Sequence, residues 1–170
     1  MPAEMLLSRS AKEAHLKRAL ATASRGLESA RVPAACYKAM VDPFKLVPDY
    51  DWLGYYRLEG RELVLEYSLG EPTEHIRIAA GKGVCGAAVS KDRNMIVEDV
   101  EAVSNYLSCS PDVRSEIVVL VRDPGSGRVL GELDADSHIL AAFDEMDEEY
   151  LGQAGKAIAS RLSHISEAKA

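Results

Sequence analysis

The chain has 170 residues, 47% of them apolar, and 27 acidic against 20 basic side chains give a net charge of −7. That length suits one domain, which at this size buries about 70% of its unfolded surface and needs no disulfide support for its core. The acidic balance, with no Lys/Arg run longer than two residues, argues against nucleic acid or an anionic membrane as partner and favours a small ligand.

The first residues, Met1 to Ser8, lack a basic region followed by an apolar run of signal-peptide length, and no stretch approaches the ~20 apolar residues that span a bilayer. The expected compartment is the cytoplasm. Cys36, Cys85 and Cys109 are odd in number and lack zinc-ligand spacing, so free or redox-active thiols are expected rather than a disulfide framework or a zinc site.

Ser10 to Glu13 resembles a capping box, and Leu16, Leu20, Ala23, Leu27 and Ala30 follow at helical spacing, which predicts a helix to about Ser29. Pro33 fits the first turn of a second helix carrying Cys36, Met40 and Phe44, which Pro43 and Pro48 should stop or bend. The segments from Trp52 to Leu58 and from Glu62 to Tyr67 read as a hairpin, with Trp52, Gly54 and Tyr56 on one face. A short extended piece, His75 to Ile78, precedes Gly81 to Val89, a glycine-rich loop entering a helix. The spacing of Gly81, Gly83 and Gly86 matches a dinucleotide fingerprint, but no long strand leads into it and no βαβ unit surrounds it. Met95 to Val97 reads as a strand, and Asp99 to Ser108 as an irregular loop beside Cys109. Asp144 then caps a final helix, its buried stripe marked by Leu151, Ala154, Ile158, Leu162 and Ile165, and the acidic run from Asp144 to Glu149 complements the dipole.

The stretch from Cys109 to Ser137 carries the chemistry. Ser115 to Val121 is β-branched and apolar, Asp123 to Gly127 is a strong turn signal, and Val129 to Asp136 is a second strand. Side chains alternate faces along a strand, so Glu132, Asp134 and Asp136 share one face, and Glu116 joins them if the hairpin register permits. Carboxylates crowded together disfavour full ionisation, so one of them can keep its proton near neutral pH and act as an acid. The row can also be read as a solvated strand face, or as hard oxygen ligands for a divalent cation.

These residues resemble a known family. Asp51 to Tyr56, Gly83 to Gly86, Ser115 to Val119 and Gly131 to Ser137 look like the successive signatures of GAF domains of the free methionine-(R)-sulfoxide reductase type, covering roughly residues 50 to 165. The resemblance implies an α+β GAF fold: a central antiparallel sheet of about six strands, N- and C-terminal helices on one face and a ligand pocket on the other. Residues 1–49 would be a helical segment packing on a domain formed by 50–170. Carried over residue by residue, it implies Cys109 as catalytic thiol, Cys85 as a second cysteine and Glu116 as a pocket carboxylate with a catalytic role. Asp134 and Asp136 would bind substrate, with Trp52 and Tyr56 as an aromatic wall. His75 stands where the family has a resolving cysteine. The implied reaction is thiol-dependent reduction of free L-methionine (R)-S-oxide through a Cys109 sulfenic acid, with Arg114 a candidate to favour the thiolate. An external thiol reductant such as thioredoxin is implied, with no bound cofactor or metal, and homodimerisation through the terminal helices. The alternative is a non-catalytic GAF module that binds a small ligand and acts as a sensor.

Overall fold

The computed structural model describes residues 8–107 and 110–169. Two helices open the chain, α1 (Arg9–Ser29) and α2 (Pro33–Lys45), followed by strands β1 (Trp52–Glu59), β2 (Glu62–Leu69) and β3 (Arg77–Ala79). Helix α3 (Gly83–Lys91), strand β4 (Met95–Val97) and a single 3-10 turn (Val100–Ala102) lead to β5 (Ser115–Arg122), β6 (Val129–Ser137) and the closing helix α4 (Glu145–Ala168). The strands form one antiparallel sheet in the order β3-β2-β1-β6-β5-β4, as the α+β reading expects.

Alternation along the strands divides the interior in two. Leu53, Tyr55, Ile117, Val119, Val121, Leu133 and Ala135 face a large core shared with α1, α2 and α4. Trp52, Tyr56, Val118 and Leu120 face a smaller core closed by α3 and the loop around Val100. Terminal helices thus occupy one sheet face and leave the other to the site.

Local signals differ from the sequence reading at two places, the start of α1 and the loop after Asp99. The cap of α1 is Ser8, whose Oγ accepts from the Ala11 amide, rather than Ser10, and Glu13 pairs with Lys17 instead of closing a capping box. As expected, α2 stops between the two prolines: Pro43 lies in its last turn, where it forfeits one amide, and the helix ends at Lys45. Part of the loop after Asp99 is ordered as the 3-10 turn, because the Asp99 side chain accepts from the Glu101 amide. Asp144 caps α4 as expected, in a reciprocal capping box with Asp147.

A buried ion pair ties the helical layer together. Lys12 of α1 donates to Asp147 Oδ2 of α4 at 2.6 Å and to the Ala142 carbonyl, and the Tyr50 hydroxyl donates to Asp147 Oδ1 at 2.8 Å. Both members of the pair are nearly solvent-free, so each depends on the other for its charge compensation.

Candidate active site

Strand β6 runs through the middle of the sheet, and the residues opposite it set the site's layout. Across the face away from α4, Asp136 lies between Trp52 and Glu116, Asp134 between Gly54 and Val118, and Glu132 between Tyr56 and Leu120. The Glu116–Asp136 pairing answers the register question that the hairpin sequence leaves open. All four carboxylates therefore share one face, and each is at most 5% exposed.

Gly54 makes room above Asp134. A Cβ there would fall 2.4 Å from Trp52 Cη2, so the indole lies over the glycine and beside the acidic row. Its ring centroid stands 6.3 Å from that of Tyr56, whose hydroxyl donates to the His75 carbonyl at 2.8 Å. The two aromatics form a continuous wall along one side of the row.

Helix α3 closes the opposite side. Gly83 takes a positive φ of 60°, and a Cβ on Gly86 would stand 2.4 Å from the Ala79 carbonyl oxygen. Of the glycines that mimic a nucleotide fingerprint, Gly83 packs against Leu107, and Gly86 thus serves close packing of α3 on the end of β3. That approach brings Cys85 Sγ to 3.2 Å from Asp134 Oδ2 and 3.8 Å from Glu116 Oε1.

Burial without compensating cations governs the electrostatics. Neither oxygen of Glu132 or Asp136, nor Asp134 Oδ1, nor Trp52 Nε1 has a hydrogen-bond partner among the described residues. Burial, and then the charges of Asp134 and Asp136, holds the Glu116 carboxyl well above its usual range. Burial does the same to Glu132, and to Asp136 with help from Asp134 and Asp51. Asp134 is pushed up only to about 6, because hydrogen bonds from Cys85 and Glu116 offset part of the burial effect. Asp134 is therefore the member of the row that ionises most readily, and burial and mutual repulsion favour the protonated form of its neighbours. The Cys85 thiol is driven well up by burial and by Asp134, which keeps it protonated. Such an arrangement can accept a cation at Asp134 and donate a proton from Glu116.

A small cavity of about 80 Å³ opens beside Asp136, lined by Asp51, Trp52, Glu71, Ser110, Val113 and His138. Ser110 Oγ donates to Glu71 across its mouth at 3.1 Å, and Asp51 accepts from the His138 amide at 2.7 Å. A larger cavity, about 670 Å³, lies elsewhere, between Tyr55, Arg57, Leu130 and Leu162 on the helical side. It lacks any of the unsatisfied acidic groups, and for that reason we place the site at the carboxylate row.

Six of the seven expected site residues, Trp52, Tyr56, Cys85, Glu116, Asp134 and Asp136, line this one region. The seventh, Cys109, lies outside the described residues. Arg114 is half-buried just before β5, where its amide donates to the Ser137 carbonyl and its Nε is buried with no partner among the described residues. Cys36 is buried in the helical core on the far face of the sheet, away from Cys85. Glu132 completes the row, as strand parity anticipates. The Asp51–His138 and Glu71–Ser110 contacts at the mouth join distant segments and leave no local signal in the sequence.

Comparison with known proteins places this architecture. No protein-family profile matches the chain. The free methionine-R-sulfoxide reductase of Neisseria meningitidis, solved in complex with its substrate, superposes with a TM-score of 0.87 at 33% identity, covering 99% of each chain. The chain belongs to the free methionine-R-sulfoxide reductase family. Its Escherichia coli member is 34% identical over 112 residues, 65% of both sequences. GAF domain-containing protein A of Dictyostelium discoideum is 41% identical over 106 residues, 62% of this chain and 65% of that protein. The matched segments thus span a little under two thirds of these curated relatives. The six-stranded sheet with terminal helices on one face is the GAF fold, so the family fold expected from the sequence is the one observed. None of the described helices is long and apolar enough to cross a membrane.

Proposed function

We propose that this protein reduces free L-methionine (R)-S-oxide to methionine with thiol equivalents. The observation that carries the reading is the buried acidic row under a tryptophan, in a chain alike over its whole length to a reductase of known substrate. A free amino acid presents an ammonium, and Asp134, whose carboxyl is raised only to about 6, provides its counter-charge, with Asp136 alongside. Trp52 and Tyr56 offer the methyl-sulfinyl end an apolar, polarizable surface. The Cys109 thiolate attacks the sulfoxide sulfur, and Glu116 passes its proton to the sulfoxide oxygen. That oxygen leaves on the cysteine, giving methionine and a Cys109 sulfenic acid.

The sulfenic acid is then reduced by an external dithiol of the thioredoxin kind, directly or through Cys85, releasing water and forming one disulfide. With His75 at the place of the family's resolving cysteine, the Cys109 step depends on these thiols alone. Such chemistry requires a reducing compartment, which favours the cytoplasm. The test is a thioredoxin-coupled assay of the R and S forms of free methionine sulfoxide and of an R-form peptide, with the wild type and Cys109→Ser. Turnover confined to the free R form and lost in Cys109→Ser is expected. Activity that survives Cys109→Ser removes the nucleophile. Absence of turnover with any thiol donor, together with binding of the sulfoxide, leaves a ligand-sensing module.

A further inference from the structure

We infer that Cys85, Glu116 and Asp134 form a binding site for a zinc-like divalent cation, and that this cation and the substrate exclude each other. Ligand atoms of the three residues all lie within 4.8 Å of one another, and all three residues are buried. In a tetrahedral zinc site with ordinary Zn–S and Zn–O lengths, a sulfur and an oxygen ligand stand about 3.5–3.7 Å apart. The observed separations from Cys85 Sγ, 3.2 Å to Asp134 Oδ2 and 3.8 Å to Glu116 Oε1, bracket that value, so each sulfur–oxygen distance need change only by tenths of an ångström.

A second observation points to a cation at the same place. Glu132 is fully buried on the same face, flanks Asp134 in β6, and both its oxygens lack a partner among the described residues. A row of acids meeting in a dry pocket is satisfied either by protons or by a cation, and a metal ion displaces the protons of the thiol and the carboxyls together.

The donor set selects the ion. One sulfur excludes magnesium and calcium, which take oxygen ligands, whereas one thiolate and two carboxylates suit zinc with a fourth position open. No sequence pattern announces such a site, because its ligands come from α3, β5 and β6 rather than from a spaced motif. Asp134 then serves two incompatible ligands: the metal through Oδ2, or the ammonium of the proposed substrate. Only the mutual exclusion rests on the reductase reading; the metal site stands without it.

The test is a cobalt(II) titration of the full chain, freed of metal by a chelator and kept anaerobic, which needs no turnover. We expect one equivalent to produce a thiolate-to-cobalt charge-transfer band with tetrahedral visible absorption, and zinc(II) to erase it stoichiometrically. The band should persist in Cys36→Ser and Cys109→Ser and vanish in Cys85→Ser of unchanged circular dichroism. Glu116→Gln should keep the band but, by removing a charged ligand, weaken cobalt binding by at least the ~10-fold that losing even an outer-shell partner costs. A band that never forms, or survives Cys85→Ser, or binds equally well in Glu116→Gln, overturns the site. Free methionine (R)-S-oxide should move the titration to higher cobalt concentration; no such movement overturns the exclusion.

Discussion

Adding one methyl group at Gly54 tests whether the indole is held over the acidic row to form the ligand wall. In Gly54→Ala the new carbon would stand 2.4 Å from Trp52 Cη2, 2.9 Å from Cζ3 and 3.1 Å from Cζ2, so the ring must retreat by about 1 Å to reach ordinary contact. The indole is 5% exposed and packed beside Tyr56, so it cannot swing aside without disturbing its neighbours. Overpacking of this kind costs about 1–3 kcal/mol, against about 0.4–1 kcal/mol regained because alanine restricts the unfolded chain. The net loss lowers Tm by a few degrees. Trp52 is the chain's single tryptophan, so its emission spectrum reports the ring directly. We expect a shifted emission maximum and a KM for free methionine (R)-S-oxide raised about two- to tenfold, the equivalent of one lost sulfur–aromatic contact of about 0.3–1.5 kcal/mol. An unaltered emission spectrum with an unaltered KM would refute the reasoning, since the ring would then neither meet the methyl nor touch substrate.

Two further outcomes follow from buried charge. Asp134 has its folded pKa raised from 3.8 to about 6, so the native state binds the extra proton. The resulting destabilisation is absent below pH 3.8, grows as pH rises through about 6, and is then complete. Fully developed, it amounts to about 3 kcal/mol. Asp134→Asn should therefore raise the Tm of chelated, ligand-free protein by about 6–12 °C at pH 8 and by little at pH 4, while sacrificing substrate binding. Equal melting of the two proteins at pH 8 would contradict this. In the helical layer, Lys12→Met strips Asp147 of its cation and should cost about 3–5 kcal/mol in urea denaturation. Combining it with Asp147→Asn, which keeps an acceptor for Tyr50, should restore most of the loss; a double variant no more stable than Lys12→Met would sink the explanation.

What could be read from the sequence follows the physics of short-range order. The hairpin of β5 and β6 and the common face of Glu132, Asp134 and Asp136 were legible because strand parity depends only on neighbours in the chain. Whether Glu116 joined them was not, since the register shift between Val121 and Arg122 is set by how the turn closes. The Trp52–Gly54 contact needed atomic distances, although both residues could be placed on one face. Lys12 and Asp147 are 135 positions apart, and nothing near either residue names its partner. Ser8 rather than Ser10 caps α1 because helix starts are decided by one hydrogen bond among several plausible donors and acceptors.

The division of β6 between an oily face and an acidic face also bears on how the chain finds its fold. A slip of one residue against β1 or β5 would drive Glu132, Asp134 and Asp136 under α4 and turn Leu133 and Ala135 toward the pocket. In the helical core those acids would lose the Cys85 thiol and the cavity beside Asp136 that the native alignment gives them, which adds to the cost of a misaligned sheet. The acidic row thereby favours the native strand alignment, and neutralising it is expected to loosen that discrimination.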